Sequence, residues 1–203
     1  MSLVIRPEKP ADQAAIHDIT RRAFAPMDYA GGNEQDLIDR FRNAGALAIS
    51  LVAERDGVVV GQVTFTEAFA ADGSPGWYAL GPVAVEPDLQ AQHIGSRLIE
   101  AGLAMLRERD AAGCVLTGDP AYYSRFGFRP YPDLCPEGEP AAYYQMLPLR
   151  VAVPETVLAF HPLFYGSSRE GGAPCSAMLS RRATSLPEPV RSRKIQSPAR
   201  RCS

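Results

Sequence analysis

Two short stretches of this sequence hold more chemistry than folding alone asks for. The first is GPVAVEPDLQAQHIGSRLI, residues 81–99, where a proline interrupts an apolar run and a polar loop follows. Pro82 has no N–H to give a sheet, and a proline inside a strand belongs at an edge or a bulge. The strand should therefore part from a neighbour near Pro82. Parting leaves the backbone N–H and C=O groups of Val83 and Val85 to pair with an extended ligand, as another strand would. The loop from Gln90 to Gly95 leads into a helix, and loop amides with the positive helix end suit a pyrophosphate. Gly95 reads as the residue that turns the chain and lets a ligand approach the backbone. On the residues alone, an ordinary structural crossover explains this stretch about as well.

The second stretch is PAYYSRFGF, residues 120–128, in which two tyrosines and two phenylalanines surround Gly127. Phe126 and Phe128 read as core residues at a helix end that Gly127 caps. The hydroxyls are left over. A phenol with a pKa near ~10 can donate a proton to a departing thiolate, so Tyr123 is a candidate acid if it faces the parted strand.

These stretches need elements to hold them. Residues 3–6 form a short strand, and residues 11–24 carry Ala14, Ile16, Ile19 and Ala23 at helical spacing. A second helix is predicted over 33–43, with Leu37, Ile38 and Phe41 on one face. Three strand-like runs follow at 46–54, 58–68 and 77–85, and Asp56-Gly57 joins the first two as a hairpin. After Pro87 comes a helix with Leu98, Ile99, Gly102, Leu103 and Leu106 on one face, read as ending at Gly113. Residues 114–117 read as a buried strand. Asp119 then caps a helix whose first residue is Pro120, and residues 128–131 and 142–147 read as closing strands. The order β-α-α-β-β-β-α-β-α-β-β predicts an α/β fold, an α+β mixed sheet with helices packed on it.

Composition sets the frame for ligands. At 203 residues, 46% apolar and 22% charged, the chain can bury a core with no disulfide or metal. Cys114, Cys135, Cys175 and Cys202 lack both C-x-x-C pairing and zinc spacing, so they are read as reduced thiols. No run approaches the ~18 apolar residues of a membrane span, and the N-terminus has no signal-type apolar region. A cytoplasmic protein is the expectation. Residues 166–203 hold eight basic and two acidic residues, a balance of +6, which leaves 13 basic against 21 acidic, or −8, in residues 1–165. The acidic body disfavours nucleic acid as main ligand and favours cationic ones. The Ser, Pro and Arg-rich segment 166–203 reads as a disordered tail, with a nucleic-acid or anionic-lipid arm as the alternative. His17 and His161 read as structural. No second ligand stands at helical spacing from His93, so no metal is expected.

Together the two stretches carry a resemblance. Residues 83–98 resemble the acyl-CoA-binding motif V-x-P-x-x-[RQ]-x-x-G-x-G of the GNAT superfamily of N-acyltransferases, with Val85, Pro87, Gln90 and Gly95 matching. His93 stands where the family has its first glycine. GDPAYYSRFGF resembles the family's later tyrosine motif in a YhbS-like bacterial branch, and the element order agrees over residues 1–165. The resemblance implies a central mixed, mostly antiparallel sheet flanked by helices and splayed at Pro82. It implies acetyl-CoA as co-substrate, no metal, and direct attack by a primary amine of a small molecule or peptide. Cofactor contacts would come from Val83, Ala84, Val85, Gln90, Ala91, Gln92, His93, Ile94, Gly95, Ser96, Tyr122 and Tyr123. The Val83 N–H would stabilise the oxyanion, Tyr123 would protonate the thiolate, and Glu67 would take the amine's proton directly or through water. On the residues alone Glu67 reads more readily as a solvated strand-end carboxylate than as a base, Asp119 as a cap, and Glu86 as pointing away. Partners are then acetyl-CoA and an amine, with a homodimer left open and no membrane. The alternative is a CoA-binding sensor or partner-binding module that has kept the fold but lost turnover.

Overall fold

A computed structural model describes residues 2–27 and 31–165, and the segment 166–203 lies outside the described residues, together with Cys175 and Cys202. The strands are β1 (Leu3–Pro7), β2 (Leu47–Arg55), β3 (Val58–Ala70), β4 (Trp77–Val85), β5 (Gly113–Thr117), β6 (Arg129–Pro130), β7 (Tyr144–Pro148) and β8 (Leu158–Ala159). The helices are α1 (Gln13–Phe24), α2 (Glu34–Asn43), α3 (Ile94–Glu108) and α4 (Pro120–Tyr123). The sheet runs β1-β2-β3-β4-β5-β7-β6, with β8 added to β3. Every pair is antiparallel except β4 with β5. A parallel pair needs a crossover, and α3 supplies it. The mixed sheet flanked by helices is the one expected.

The helices cover the two faces because their apolar stripes demand it. Helix α3 buries Leu98, Ile99, Leu103 and Leu106 against Leu51, Val63 and Phe65. Gly102 brings the helix close: a Cβ there would stand 2.2 Å from Phe65 Cε2. Helix α1 covers the opposite face, setting Ile16 on Val52 and Ile19 and Ala23 on Ala84. Ala14 is exposed, contrary to its place in the predicted stripe, and Thr20 is buried instead, donating to Ile16 O at 2.7 Å and accepting from Gln62 Nε2 at 3.2 Å.

Most element ends shift by a residue or two, and three differences go further than that. Helix α3 stops at Glu108, and Gly113 opens β5 instead of ending the helix. A side chain at Gly113 would meet Trp77 at 2.2 Å, so that glycine serves strand packing. Strand β6 is only Arg129–Pro130, because Pro130 and Pro132 have no N–H for a ladder. Strand β8 was not foreseen.

The position of the parting is set by register. Strands β4 and β5 pair at Trp77 with Gly113, Tyr78 with Cys114 and Ala79 with Val115, and stop there. Strand β4 stays on β3 as far as Val85, opposite Gly61, with an irregularity between Val63 and Phe65. Thr64 lies in that irregularity, and its hydroxyl donates to Gly81 O at 2.9 Å. Pro82 thus sits at a bulge toward β3 and in an open fork toward β5.

Candidate functional site

The fork offers backbone groups. Glu86 N–H donates to Val60 O at 2.9 Å, so ladder alternation turns Ala84 toward β3 and turns Val83 and Val85 toward the gap. The Val83 N–H and C=O and the Val85 N–H therefore face the fork. Two expectations need correcting. The Val85 carbonyl is not open, because Gln90 Nε2 donates to it at 3.3 Å. Ala84 presents nothing to the fork, since its side chain is buried against Ile19 and Ala23.

At the mouth of the fork a 3-10 turn, Pro87–Leu89, leads through residues 90–93 into α3. The turn conformation falls on Ala91 at φ 59° and His93 at φ 61°, not on Gly95, which lies inside the first turn of the helix. Histidine tolerates the left-handed region better than most residues. Its ring is exposed at the α3 N-cap. Arg97 N–H is the first to close on the helix, donating to His93 O at 3.1 Å, so Ile94, Gly95 and Ser96 have N–H groups without an intrahelical acceptor. Those three amides and the positive helix end favour an anion there. Gln92 accepts from Arg55 Nη2 at 3.2 Å, which brings a guanidinium beside the loop.

Helix α4 stands on the other arm. Asp119 Oδ1 accepts the Ala121 N–H at 2.9 Å, the predicted cap. The Tyr122 hydroxyl lies 3.5 Å from Ser96 Oγ, and the Arg125 guanidinium lies 4.5 Å above the Tyr122 ring. Tyr123 packs edge-on to Tyr122 at 5.0 Å and to Phe128 at 6.0 Å. A Cβ on Gly118 would meet the Tyr123 ring at 2.4 Å, so only glycine lets the ring rest on the end of β5. Gln145 is fully buried and its Nε2 donates to Gly118 O at 2.8 Å. Neither Gly118 nor Gln145 was foreseen as part of the site.

Glu67 is placed elsewhere. It pairs with Tyr78, where β4 and β5 are still zipped, and it is exposed. Carried two residues further, the β8 register sets His161 opposite Glu67. The imidazole packs on Phe41 at 5.6 Å and Phe69 at 5.9 Å. Burial pushes its pKa down while the charge of Glu67 opposes that. Leu163 N–H donates to its Nδ1 at 3.2 Å, so a neutral ring carries its proton on Nε2. This pairing escaped the sequence reading. Glu86 is committed to Arg22 at 2.8 Å, in keeping with its exclusion. Cys114 is fully buried, and desolvation holds its thiol far above the ordinary range, so it is no nucleophile near neutral pH.

An open backbone edge, a run of helix-end amides and a phenol at the end of one arm suit an extended amide-bearing ligand that ends in phosphates. The family comparison decides the class, for the model of the acetyltransferase (GNAT) family matches residues 14–128. The chain belongs to the GNAT family of acetyltransferases. Within it the chain falls in the YhbS-like branch. It is 35% identical over 127 residues to the Escherichia coli K12 uncharacterized N-acetyltransferase YhbS, covering 62% of this chain and 73% of that one. A GNAT family acetyltransferase from Brucella melitensis, solved with acetyl-CoA, superposes with TM-score 0.72 at 42% identity over 80% of this chain and 98% of that one. The solved Escherichia coli YhbS, in complex with CoA, superposes with TM-score 0.72 at 29% identity over 84% and 94%. Among the described residues no helix is long and apolar enough to cross a membrane.

Proposed function

We propose that this GNAT acetyltransferase moves an acetyl group from acetyl-CoA to a primary amine of a small molecule or peptide, by direct attack on the thioester. The observation that carries this reading is the fork: β4 leaves β5 after Ala79 while Val83 and Val85 keep backbone groups turned into the gap. A pantetheine arm has amides at intervals that can pair with such an edge. Its diphosphate would be held by the amides of Ile94, Gly95 and Ser96, within the stretch 90–96 expected to bind it. That two relatives were solved with acetyl-CoA and with CoA supports the same reading.

Bound acetyl-CoA supplies an activated acyl carbon and a thiolate leaving group. The protein's own residues do the rest. Edge pairing orients the carbonyl for the amine and removes entropy from the barrier. The Val83 N–H, fixed in the strand and facing the fork, would meet the oxygen as it gains charge. Tyr123, held against Gly118, would protonate the sulfur. With Cys114 buried and protonated, no acyl-enzyme is needed. Glu67, exposed in the zipped part of the sheet, would reach the amine only through water.

The test is thiol release from acetyl-CoA across a panel of primary amines, alongside calorimetric binding of CoA. Transfer to at least one amine, with Tyr123→Phe losing turnover but not CoA binding, is the expected outcome. Binding without turnover on any amine would assign the protein to CoA sensing instead.

A further inference from the structure

One carboxylate beside the fork lies outside the family-matched residues. Glu139 belongs to the loop between β6 and β7, past residue 128 where the family match ends. Continuing the β4-β5 register by two residues sets Thr117 across the fork from Gly81. The Thr117 hydroxyl donates to Glu139 Oε2 at 3.2 Å. The loop itself is tied down, with Glu139 N–H donating to Pro136 O at 3.1 Å and the Cys135 thiol donating to Glu139 O at 3.5 Å.

The face matters as much as the place. Thr117, two residues on from Val115, shares its face of the sheet, where Val115 lies with Tyr144 and Met146. The charge of Glu139 is felt on that same side by Cys135, Tyr144 and Tyr165. Burial above all, with that charge added, pushes the Cys135 thiol up to about 11 and the Tyr165 phenol up to about 12, so both stay protonated at neutral pH. Cys114 and Leu116 point the other way, into the core that Tyr122 and Tyr123 pack against. One arm of the fork therefore has a phenol on one face and a carboxylate on the other, the phenol ring packed on Gly118 and the carboxylate bonded to the Thr117 hydroxyl. An acid and a base that touched would satisfy each other; separated by the strand, each can face a different atom of a thioester lying in the gap.

We propose that Glu139 is the base that takes the proton from the acceptor's ammonium group, and that the amine reaches the thioester from the side of the sheet on which Thr117 meets Glu139. The assignment rests on the acetyltransferase reading above. The ammonium gives one proton to Glu139, which passes it to solvent. The freed lone pair then forms the C–N bond while the carbonyl π pair moves to oxygen. As that pair returns, the C–S bond breaks and its electrons go to sulfur, which takes a proton from Tyr123. The second nitrogen proton leaves the adduct and restores the phenol, so the products are the amide, CoA thiol and one proton.

The experiment is acetyl transfer to the best amine of the panel by wild type, Glu139→Gln, Glu139→Asp and Glu67→Gln, with kcat/KM followed over pH and CoA affinity by calorimetry. Glu139→Gln should lower kcat/KM by about 10²–10⁴-fold at neutral pH while CoA affinity stays within about twofold. The loss should shrink as pH approaches the amine's own pKa near ~10, where solvent has already removed the proton. Glu139→Asp should recover part of the rate. Activity of Glu139→Gln within about threefold of wild type at neutral pH, or a loss of equal size at every pH, would overturn the assignment. A large loss in Glu67→Gln alone would hand the role to Glu67. Should Glu139→Gln fail to fold, the pH dependence of Glu139→Asp decides in the same way, an unshifted profile with full rate counting against Glu139. Wild type that binds CoA but acetylates no amine sinks the transferase reading, whereas turnover surviving Glu139→Gln sinks only this residue's role.

Discussion

Tyr123 and Gly118 act as a pair, because the ring rests where a Cβ would stand 2.4 Å from it. Gly118→Ala should therefore displace the phenol without removing it. Two variants separate position from chemistry: Tyr123→Phe keeps the packing and loses the proton, while Gly118→Ala keeps the proton and moves it. Both should lower kcat, Tyr123→Phe by about 10²-fold or more. Only Gly118→Ala should also destabilise the fold, by about 1–3 kcal/mol through overpacking, as read in denaturant unfolding. Equal kcat in wild type and Tyr123→Phe would remove the tyrosine from the mechanism. At this scale the sequence spoke clearly where a residue's chemistry is local. Asp119 caps as its type predicts, and Pro82 marks the parting because a missing N–H is a property of the residue itself. It said nothing of Glu139, whose partner is 22 residues away and whose place follows from how the loop before β7 folds back on Thr117.

Elements with a strong period were legible, and those set by tertiary contact were not. The stripe of α3 was correct because five apolar or small residues recur at helical spacing, and all five are buried. Its end was misread because a glycine signals a cap in a helix and a close contact in a strand, and Gly113 is the second. Strand β8 is two residues long and exists only because β3 runs on to Ala70, past the start of β2, leaving an edge for Leu158 and Ala159. The turn ahead of α3 was assigned to its glycine, yet His93 and Ala91 take the left-handed conformations. Gly102 offers a test at this scale. Alanine raises helix propensity by about 1 kcal/mol. Against that, its Cβ would overlap Phe65 at 2.2 Å, and a rigid ring against a sheet has little room to yield. Overpacking should prevail, so Gly102→Ala is expected to lower stability by about 1–3 kcal/mol in guanidinium unfolding. A stabilised variant would mean that α3 can ride away from the sheet.

Across the molecule, charge ties the first strand to the body. Arg6 donates to Asp12 at 2.6 Å and to Glu54 at 2.8 Å, joining β1, the start of α1 and β2. The hydrogen bond from Arg6, more than any other cause, holds the buried Asp12 carboxyl below its ordinary value. A depressed carboxyl contributes stability above its unfolded pKa and loses it as pH falls through the folded one. Unfolding midpoints should therefore drop as pH falls through and below the ordinary carboxylate value of 3.8, and Asp12→Asn should remove part of that drop while costing about 1.5–3 kcal/mol at neutral pH. An unchanged acid sensitivity in that variant would place the effect elsewhere. The sheet held together in this way serves one feature, the fork between β4 and β5, and backbone amide exchange at Val83 and Val85 measures it most directly. In the free protein both amides should exchange far faster than that of Ala84, which faces β3, and added CoA should slow both by orders of magnitude. Amides at Val83 and Val85 already as protected as Ala84, with no change on adding CoA, would contradict the account.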